Sequence, residues 1–369
     1  MFKGLKTRFR VILVVCLINI SVLPISNALE TGNPLTISQE GGPNREGKLI
    51  KLSFVGDVLT HRSLYLKAKE KSGYNFDFAF KNIKKELDSD INFCQLETPL
   101  TDSKPSGYPV FRTPYQLASA LSKAGFTICS QASNHSLDAG ISGINYTKEK
   151  LNDSGIQSTG VADKDTGENF TIIEENGVKV AYLAYTYGTN GIKAPQPYKD
   201  LLNVIDLEKI LKAAKEAKAK SDIVVLYMHW GQEYNEAVSN YQKNLAEKLT
   251  LSPYIDLIVG SHIHQLQRFE LINHKPVLYG LGNFWSGQGV WSSMPKGQIG
   301  AIAQFNFISS DQGYRYLSGS VKATYVESRT WSIHRALPDY KGPDKKVNCF
   351  ALQETYRLYS KLLKVDSKC

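Results

Sequence analysis

The sequence predicts an α/β fold in which buried, largely parallel strands alternate with helices. Apolar runs of strand length follow one another from Leu49 onward, and segments with helical spacing of apolar residues separate them. After residue 276 strand-like runs succeed each other without helices between them, so we expect a mixed or antiparallel part of the sheet there.

The individual elements follow from these patterns in chain order. The first predicted strands are LIKLSFVGD (49–57), DINFCQLE (90–97), FTICSQASNH (126–135), KVAYLAYT (179–186), DIVVLYMHW (222–230) and YIDLIVGSHIH (254–264). We expect helices near 77–88, 114–125, 142–154, 206–220 and 239–250, and Asp206 is a good N-cap for one of them. The later strands are PVLYGLGNFW (276–285), QIGAIAQFNFI (298–308) and GYRYLSGSVKATYVE (313–327), and a helix near 350–363 closes the chain.

The N-terminus has the pattern of a secretory signal peptide. Four cations at positions 3 to 10 precede a largely apolar stretch of 13 residues, 11–23, and Ser26-Asn27-Ala28 fits the small-x-small cleavage pattern. We expect cleavage after Ala28, with an uncleaved anchor as the alternative, although a spanning helix needs about 20 residues. The predicted product is periplasmic or extracellular and begins with a flexible lead-in, 29–48, rich in glycine, proline and polar residues.

The cysteines are consistent with export. Cys94, Cys129, Cys349 and Cys369 remain after removal of the signal, an even number that suggests disulfides. Cys94 and Cys129 each come shortly before the end of a predicted strand, and the other two flank the last helix. We therefore favour the pairs Cys94–Cys129 and Cys349–Cys369, and buried free thiols are the alternative.

The charge of the chain gives little information about partners. The formal net charge is +9, of which the signal peptide carries +4. The lysines are spread along helical segments, and no basic patch is interleaved with aromatic residues, so we expect no nucleic-acid partner. A polyanionic substrate or partner is compatible with this charge.

Most of the predicted strands end in side chains that can bind a metal. In α/β sheets ligands bind at the carboxyl ends of the strands, where these side chains would converge. The candidates, in chain order, are Asp57, His61, Glu97, Asn134, His135, Asp138, His229, His262, His264 and Asn283. Carboxylates, an amide oxygen and imidazoles suit Mn, Fe or Zn, and two such ions would clamp a phosphoryl group. Each motif alone can be explained as a turn, a loop or a core histidine. Their recurrence at successive strand ends favours a metal site.

The same motifs resemble those of a known family. The order Gly-Asp, Asn-His, His and His-x-His is similar to that of the calcineurin-like metallophosphoesterases, and the chain looks more closely like the poly-γ-glutamate capsule synthesis (CapA-like) family. The segments that carry the resemblance are FVGDVLTHRSLY (54–65), NFCQLETPLT (92–101), YPVF (108–111), ASNHSLDAG (132–140), MHWGQEY (228–234), VGSHIHQLQ (259–267) and YGLGNFW (279–285).

The resemblance implies a fold and a role for each matching residue. It implies a four-layer αββα sandwich with two mixed sheets, over residues 49–335, followed by a C-terminal extension, 336–369. Asp57 and His264 would hold a first metal, and Glu97 would bridge to a second. Asn134, His229 and His262 would hold this second ion. His135 would be the general acid and Asp138 would orient it.

The first motif departs from the phosphoesterase pattern. Phosphoesterases usually place a histidine two residues after the aspartate, whereas here His61 is four residues after Asp57. His61 either reaches the first metal from further along the loop or is an exposed loop residue, and Arg62 is then a candidate for substrate binding. Glu233 is a candidate for contact with substrate or a metal-bound water, and Asn283 for bracing the histidine loop; structural roles are equally open for both.

These observations lead to two hypotheses from different classes. In the first, the protein is an exported binuclear metal-dependent hydrolase, acting on a phosphoester, amide or ester, in the synthesis or export of a poly-γ-glutamate type capsule polymer. In the second, it is a non-catalytic metal-binding accessory or anchoring module of a membrane-bound polymer synthesis complex. A generic exported nucleotidase is a further alternative, and it would show nucleotide turnover without a capsule phenotype.

Overall fold

The computed structural model describes residues 47–163, 166–289, 295–367 and 369. The predicted signal peptide, 1–28, and residues 29–46 of the predicted lead-in lie outside the described residues. Among the helices of the described ranges, none has the length and apolar character needed to cross a lipid bilayer.

The described chain contains strands, α-helices and two short 3-10 helices. The strands are β1 (Leu49–Leu59), β2 (Lys69–Glu70), β3 (Gly73–Tyr74), β4 (Ile91–Leu96), β5 (Leu100–Thr101), β6 (Thr113–Pro114), β7 (Ile128–Ser130), β8 (Gln157–Thr159), β9 (Thr171–Glu175), β10 (Val178–Thr186), β11 (Ile223–His229), β12 (Leu257–Ser261), β13 (Leu266–Ile272), β14 (Lys275–Leu281), β15 (Asn283–Ser286), β16 (Ile299–Ser310), β17 (Gly313–Val326), β18 (Ile333–Arg335) and β19 (Lys364–Val365). The α-helices are α1 (Arg62–Ala68), α2 (Asp77–Phe80), α3 (Gln116–Ala124), α4 (Gly140–Asp153), α5 (Leu207–Lys218), α6 (Asn240–Leu251) and α7 (Lys345–Tyr359), and the 3-10 helices are Lys84–Glu86 and Pro295–Gln298.

The long strands form two mixed sheets. The first has the order β18-β17-β16-β1-β4-β7-β8, in which β1, β4, β7 and β8 are parallel and β16, β17 and β18 are antiparallel to their neighbours. The second has the order β13-β14-β12-β11-β10-β9, in which β14, β12, β11 and β10 are parallel and the outer strands are antiparallel. Of the strand-like runs after residue 276, the last two are β16 and β17 in the antiparallel half of the first sheet. The run 276–285 divides into β14 and β15, which pair parallel to β12 and β1.

The two sheets pack face to face with helices on their outer sides. Alternate residues of a strand point to opposite faces, and in β1 one set, Ile50, Leu52 and Phe54, joins a core cluster that also contains alternate residues of β10, β11 and β12. The opposite faces bury their side chains under helices: α1 to α4 cover the first sheet and α5 and α6 cover the second. This is the αββα sandwich that the family resemblance predicts, and that prediction is confirmed.

The chain after residue 335 packs against the same core. α7 buries Ala351, Leu352 and Tyr359 in the cluster between the sheets, and the Tyr359 hydroxyl donates a hydrogen bond to the Gly280 carbonyl at 3.2 Å. Cys349 in α7 forms a disulfide with Cys369, and β19 pairs with β17. The last helix begins and ends a few residues earlier than the sequence predicts.

Several local features differ from the sequence predictions, including one helix and one strand. The predicted helix near 77–88 is wrong: α2 has four residues and a 3-10 turn follows, because the burial of Phe76, Phe80 and Ile83 against the first sheet outweighs helix propensity. Helix α1 was not predicted. Strand β13 was also missed, although Asn273 and His274, both with positive φ, form the two-residue turn that joins it to β14.

Candidate metal centre

The centre lies where the carboxyl ends of parallel strands from both sheets meet. Asp57 is near the end of β1, level with Gln95 of β4 and Asn283 of β15. β1 continues for two residues past Asp57, so the aspartate lies within the strand, at a break in its register, and not at its last position as predicted. The eight predicted ligand and acid residues are all buried: Asp57, Glu97, Asn134, His135, Asp138, His229, His262 and His264.

Asp57, Glu97 and His264 form the tightest group of potential metal ligands. Each offers one ligand atom, and these atoms all lie within 4.8 Å of one another. His264 Nδ1 is 3.3 Å from Asp57 Oδ2, and His264 Nε2 is 3.9 Å from Glu97 Oε1. One divalent ion fits a group of this size and composition.

A second group adjoins the first through Glu97. Asn134 Oδ1 is 2.9 Å from His229 Nε2, and this nitrogen is 3.8 Å from Glu97 Oε1. The His262 ring lies 4.7 Å from the His229 ring, and its backbone N–H donates to Asp57 Oδ2 at 3.2 Å. Glu97 therefore lies between His229 of one group and His264 of the other.

Unpaired polar atoms show that these residues fit a bound cation. Asp57 Oδ1, both carboxylate oxygens of Glu97 and His262 Nδ1 are buried without a hydrogen-bond partner. Buried carboxylates without partners are costly unless a cation or donor compensates them. Since hard oxygen and imidazole donors converge here, divalent ions of the Mn, Fe or Zn type suit the donor set.

The electrostatics of the group also favour a bound cation. Burial raises the pKa of the Glu97 carboxyl well above its usual range, and the charge of Asp57 raises it further. Burial opposes the protonation of His264, but Glu97 and Asp57 outweigh it and raise the pKa of His264 to about 9. The two carboxylates thus attract positive charge to this position.

Two other histidines remain neutral at physiological pH. Burial lowers the pKa of His262 to about 3, and the neighbouring His264 and His135 contribute to this shift. Burial, with His262 and His264, also lowers the pKa of His229 well below its usual range. A neutral imidazole has a free lone pair, which is the form that binds a metal.

Neighbouring side chains fix the orientation of these ligands. Asn283 Oδ1 accepts a hydrogen bond from His264 Nδ1 at 3.0 Å, so Asn283 does brace the histidine loop. On His229, Nδ1 is 3.0 Å from Ser261 Oγ and 3.5 Å from Gln95 Nε2. Sequence reasoning missed Ser261 and Gln95, and nothing in their local sequence distinguishes them from ordinary strand residues.

The loop that carries the two C-terminal histidines has a left-handed backbone. His262 has φ of 94° and His264 has φ of 58°, a conformation that side chains other than glycine rarely adopt. Such strained residues are typical of functional sites, because the surrounding structure must hold them in place. This conformation directs both rings from the end of β12 into the centre.

His135 and Asp138 form a buried pair beside the second group. His135 Nδ1 is 2.8 Å from Asp138 Oδ2, and this oxygen also accepts the Phe111 backbone N–H at 2.6 Å. The Phe111 ring packs edge-on against His135, with centroids 4.7 Å apart. Asp138 thus holds Nδ1 of His135 and leaves Nε2 available.

His61, Arg62 and Glu233 are more exposed than the buried ligand group. His61 is half-buried, its Nδ1 accepts the Gly287 N–H at 3.2 Å, and burial lowers its pKa to about 4. It does not belong to the group of Asp57, Glu97 and His264. Arg62 is exposed in the first turn of α1. Glu233 is also exposed, but its charge reaches Glu97 and His264.

Comparisons with known proteins agree with the family resemblance. Residues 51–288 match the family model described as bacterial capsule synthesis protein PGA_cap. The chain is 30% identical over 264 residues to the capsule biosynthesis protein CapA of Bacillus anthracis, a match that covers 67% of this chain and 62% of that protein. It is 28% identical over 276 residues to the PGA biosynthesis protein CapA of Bacillus subtilis, covering 72% and 70% of the two chains.

Among solved structures, the calcineurin-like phosphoesterase YfkN of Bacillus subtilis is similar over 84% of this chain and 98% of that one. The TM-score is 0.48 and the sequence identity is 14%. Similarity at this level says nothing about activity.

Proposed function

The chain belongs to the bacterial capsule synthesis protein PGA_cap family, and from this premise we propose that it is an exported, metal-dependent hydrolase that acts in the synthesis or export of a poly-γ-glutamate type polymer. The names of its relatives from two Bacillus species, which refer to capsule and PGA biosynthesis, support the polymer context. The matched region is under two thirds of the Bacillus anthracis relative, so the activity, the substrate and any partner complex are all part of the proposal.

One observation carries the hydrolase proposal. Two buried carboxylates, Asp57 and Glu97, have oxygens without hydrogen-bond partners, and imidazoles surround them. A fold gains no stability from such an arrangement unless a cation occupies it. Asp57 and His264 would hold one ion, Asn134, His229 and His262 would hold a second, and Glu97 would contribute to both. When bound, such ions supply Lewis acidity that offsets the charge developing on the oxygens of a scissile phosphoester, amide or ester.

Side chains of the protein would protonate the leaving group. With Nδ1 of His135 held by Asp138, the proton of its imidazolium form that can be transferred is on Nε2, which donates it to the leaving oxygen or nitrogen. After the transfer, the neutral ring keeps its Nδ1–H on Asp138. Phe111 packs on the ring and limits its rotation.

Export and a polymer-synthesis setting complete the proposal. The disulfides Cys94–Cys129 and Cys349–Cys369 are the pairs that the sequence favours, and they are typical of proteins in oxidising compartments. With the predicted signal peptide they support a periplasmic or extracellular location. The proposed partners are an anionic polymer or phosphoester as substrate and a membrane-bound polymer synthesis complex.

The experiment that tests the hydrolase separates it from a non-catalytic accessory module. Protein loaded with Mn²⁺ or Zn²⁺ is assayed with p-nitrophenyl phosphate and with γ-glutamyl amides, and the His135→Ala and His262→Ala variants are compared. We expect His135→Ala to retain its metal but to lose about 10²-fold or more in kcat, the usual contribution of a general acid. His262→Ala should lose one of the two metal equivalents and its turnover. The control is His334→Ala, since His334 lies on β18, outside the centre.

Polymer production in a strain that carries each variant gives the second readout. If His135→Ala sustains normal production while His262→Ala abolishes it, the metals shape a binding surface and the catalytic proposal is wrong. Nucleotide turnover without any effect on polymer would instead identify a general nucleotidase.

A further inference from the structure

Three exposed tyrosines stand at the entrance to the buried metal centre. Tyr108, Tyr187 and Tyr234 expose 79%, 42% and 53% of their surface. The eight ligand and acid residues below them are at most 7% exposed. Large exposed aromatic side chains beside a buried polar centre are typical of binding sites.

Each tyrosine is placed against a different part of the centre. The Tyr187 ring lies 4.4 Å from the His262 ring, and the Tyr234 ring lies 5.6 Å from the His264 ring. Tyr108 packs at 6.5 Å on Phe111, which in turn contacts His135. The tyrosines therefore flank both proposed ion positions and the proposed acid.

Tyr108 and Tyr234 come from different parts of the chain. Since Tyr108 comes from the segment between β5 and β6 and Tyr234 from the loop after β11, the two rings reach the entrance from different sheets. A molecule that approaches the centre here meets aromatic surface from both.

A chain of hydrogen bonds holds Tyr234 in position. Its hydroxyl accepts a hydrogen bond from Gln288 Nε2 at 3.0 Å, Gln288 Oε1 accepts from Asn283 Nδ2 at 3.0 Å, and Asn283 Oδ1 accepts from His264 Nδ1. Tyr234 also has a left-handed backbone, with φ of 62°, and its N–H donates to the Ile263 carbonyl at 2.8 Å. Because the hydroxyl oxygen accepts from Gln288, its own hydrogen remains available to a ligand.

We propose that Tyr108, Tyr187 and Tyr234 form a collar that binds an extended, anionic chain and selects it over compact esters. Aromatic faces bury the methylene and amide groups of such a chain, and the Tyr234 hydroxyl donates to one of its carboxylates. A compact phosphoester reaches the ions without spanning the collar. This inference rests on the proposed function, because it assigns the collar to the substrate of that centre.

The test measures binding to the full metal-loaded protein by calorimetry. The probes are a linear γ-linked glutamate decamer and inorganic phosphate. Tyr108→Ala removes the most exposed ring and Tyr234→Phe removes only the hydroxyl. Tyr241→Ala is the control. Tyr241 exposes 53% of its surface, as Tyr234 does, but it lies on α6. We expect Tyr108→Ala to weaken decamer binding about 3- to 10-fold relative to phosphate binding, the range of a single aromatic contact, and Tyr241→Ala to leave this ratio unchanged.

Three results would overturn the collar: no decamer binding by the unchanged protein, the same ratio in Tyr108→Ala and Tyr234→Phe as in the unchanged protein, or an equal change in Tyr241→Ala. Turnover of p-nitrophenyl phosphate by the same preparation reports on the hydrolase separately. Turnover without decamer binding would refute the collar alone. Collar-dependent decamer binding without any turnover would support the collar and contradict the hydrolase.

Discussion

His264 and His135 each have one ring nitrogen held by a neighbouring side chain. Asn283 Oδ1 lies 3.0 Å from His264 Nδ1, and Asp138 Oδ2 lies 2.8 Å from His135 Nδ1. The opposite nitrogen of each ring is therefore the one that faces the chemistry. The sequence identifies all four residues as candidates, but the contact of Asn283 with His264 depends on how β15 pairs with β1, which no local pattern encodes.

Replacing Asn283 should weaken metal binding. Asn283→Ala removes the acceptor of His264 Nδ1, so the ring is no longer held with Nε2 toward Glu97. We expect the Kd for Mn²⁺ to rise about 10- to 100-fold, as is usual when such a supporting partner is lost. Calorimetric titration measures it, and Asn306→Ala, at the far end of the β1–β16 pair, is the control. An unchanged Kd would show that Asp57, 3.3 Å from the same nitrogen, orients the ring alone.

Replacing Asp138 should reduce turnover and leave the metal in place. Asp138→Asn replaces the carboxylate that holds Nδ1 of His135 and changes the tautomer that the pair favours. We expect kcat to fall about 10²-fold, with metal content equal to that of the unchanged protein. The control is Asp153→Asn, because Asp153 forms an exposed ion pair with Lys150. Full activity of Asp138→Asn would remove His135 from the proposed mechanism.

At the scale of secondary structure, close backbone contacts position the strands that carry the centre. A Cβ on Gly260 would overlap the Tyr279 carbonyl and the Trp230 ring, and one on Gly56 would overlap the Gly282 carbonyl. Glycine at these two places lets β12 lie against β14 and β1 against β15. Gly260 immediately precedes Ser261 and His262, so the position of the whole histidine loop depends on this contact.

Gly260→Ala should therefore destabilise the fold. The added methyl must push β12 away from β14, and we expect the free energy of unfolding to fall by about 3 kcal/mol, as in overpacked cores. Denaturant titration gives the value. Gly188→Ala is the matched control, since nothing lies within 4 Å of its added Cβ, and we expect a change below about 0.5 kcal/mol. Equal stability of the two variants would contradict the proposed contact.

Element types could be predicted where a long apolar run or helical spacing dominates, as in β10, β11 and α5. Short elements such as α1 and α2 could not be predicted, because tertiary packing decides their conformation.

Two residues near the centre, Tyr187 and Asn190, were not identified from the sequence. They lie in the loop after β10 and reach the centre only because that loop folds back toward Asn134, whose Nδ2 is 3.3 Å from Asn190 Oδ1.

At the scale of the whole molecule, the centre exists because two sheets face each other. The bond from the His262 N–H to Asp57 joins residues 205 positions apart, and it crosses from the second sheet to the first. Strand patterns alone predict that strand ends converge within one sheet. Only the family resemblance predicts that two sheets meet at this edge. Within the first sheet, Cys94 of β4 and Cys129 of β7 lie in register and form a disulfide next to the strand ends that carry Glu97 and Asn134.

Removing this disulfide should affect both stability and metal binding. Cys94→Ala with Cys129→Ala opens a loop of 35 residues, and we expect a loss of about 3 kcal/mol in the free energy of unfolding. Since β4 and β7 position Glu97 and Asn134, the Kd for metal should also rise. The control, Cys349→Ala with Cys369→Ala, should lose stability without a change in metal affinity. Equal metal affinity in both double variants would mean that β4 and β7 do not need the cross-link to hold the centre.

We propose that the chain holds two divalent ions at Asp57, Glu97, Asn134, His229, His262 and His264. Elemental analysis of protein purified without chelators or a His-tag tests it most directly. We expect about two equivalents of Mn, Fe or Zn per chain, about one in His262→Ala, and a loss of both in Glu97→Ala, because Glu97 would contribute to both positions. Protein without metal, even after reconstitution with each of these ions, would contradict the metal centre and with it the proposed hydrolase.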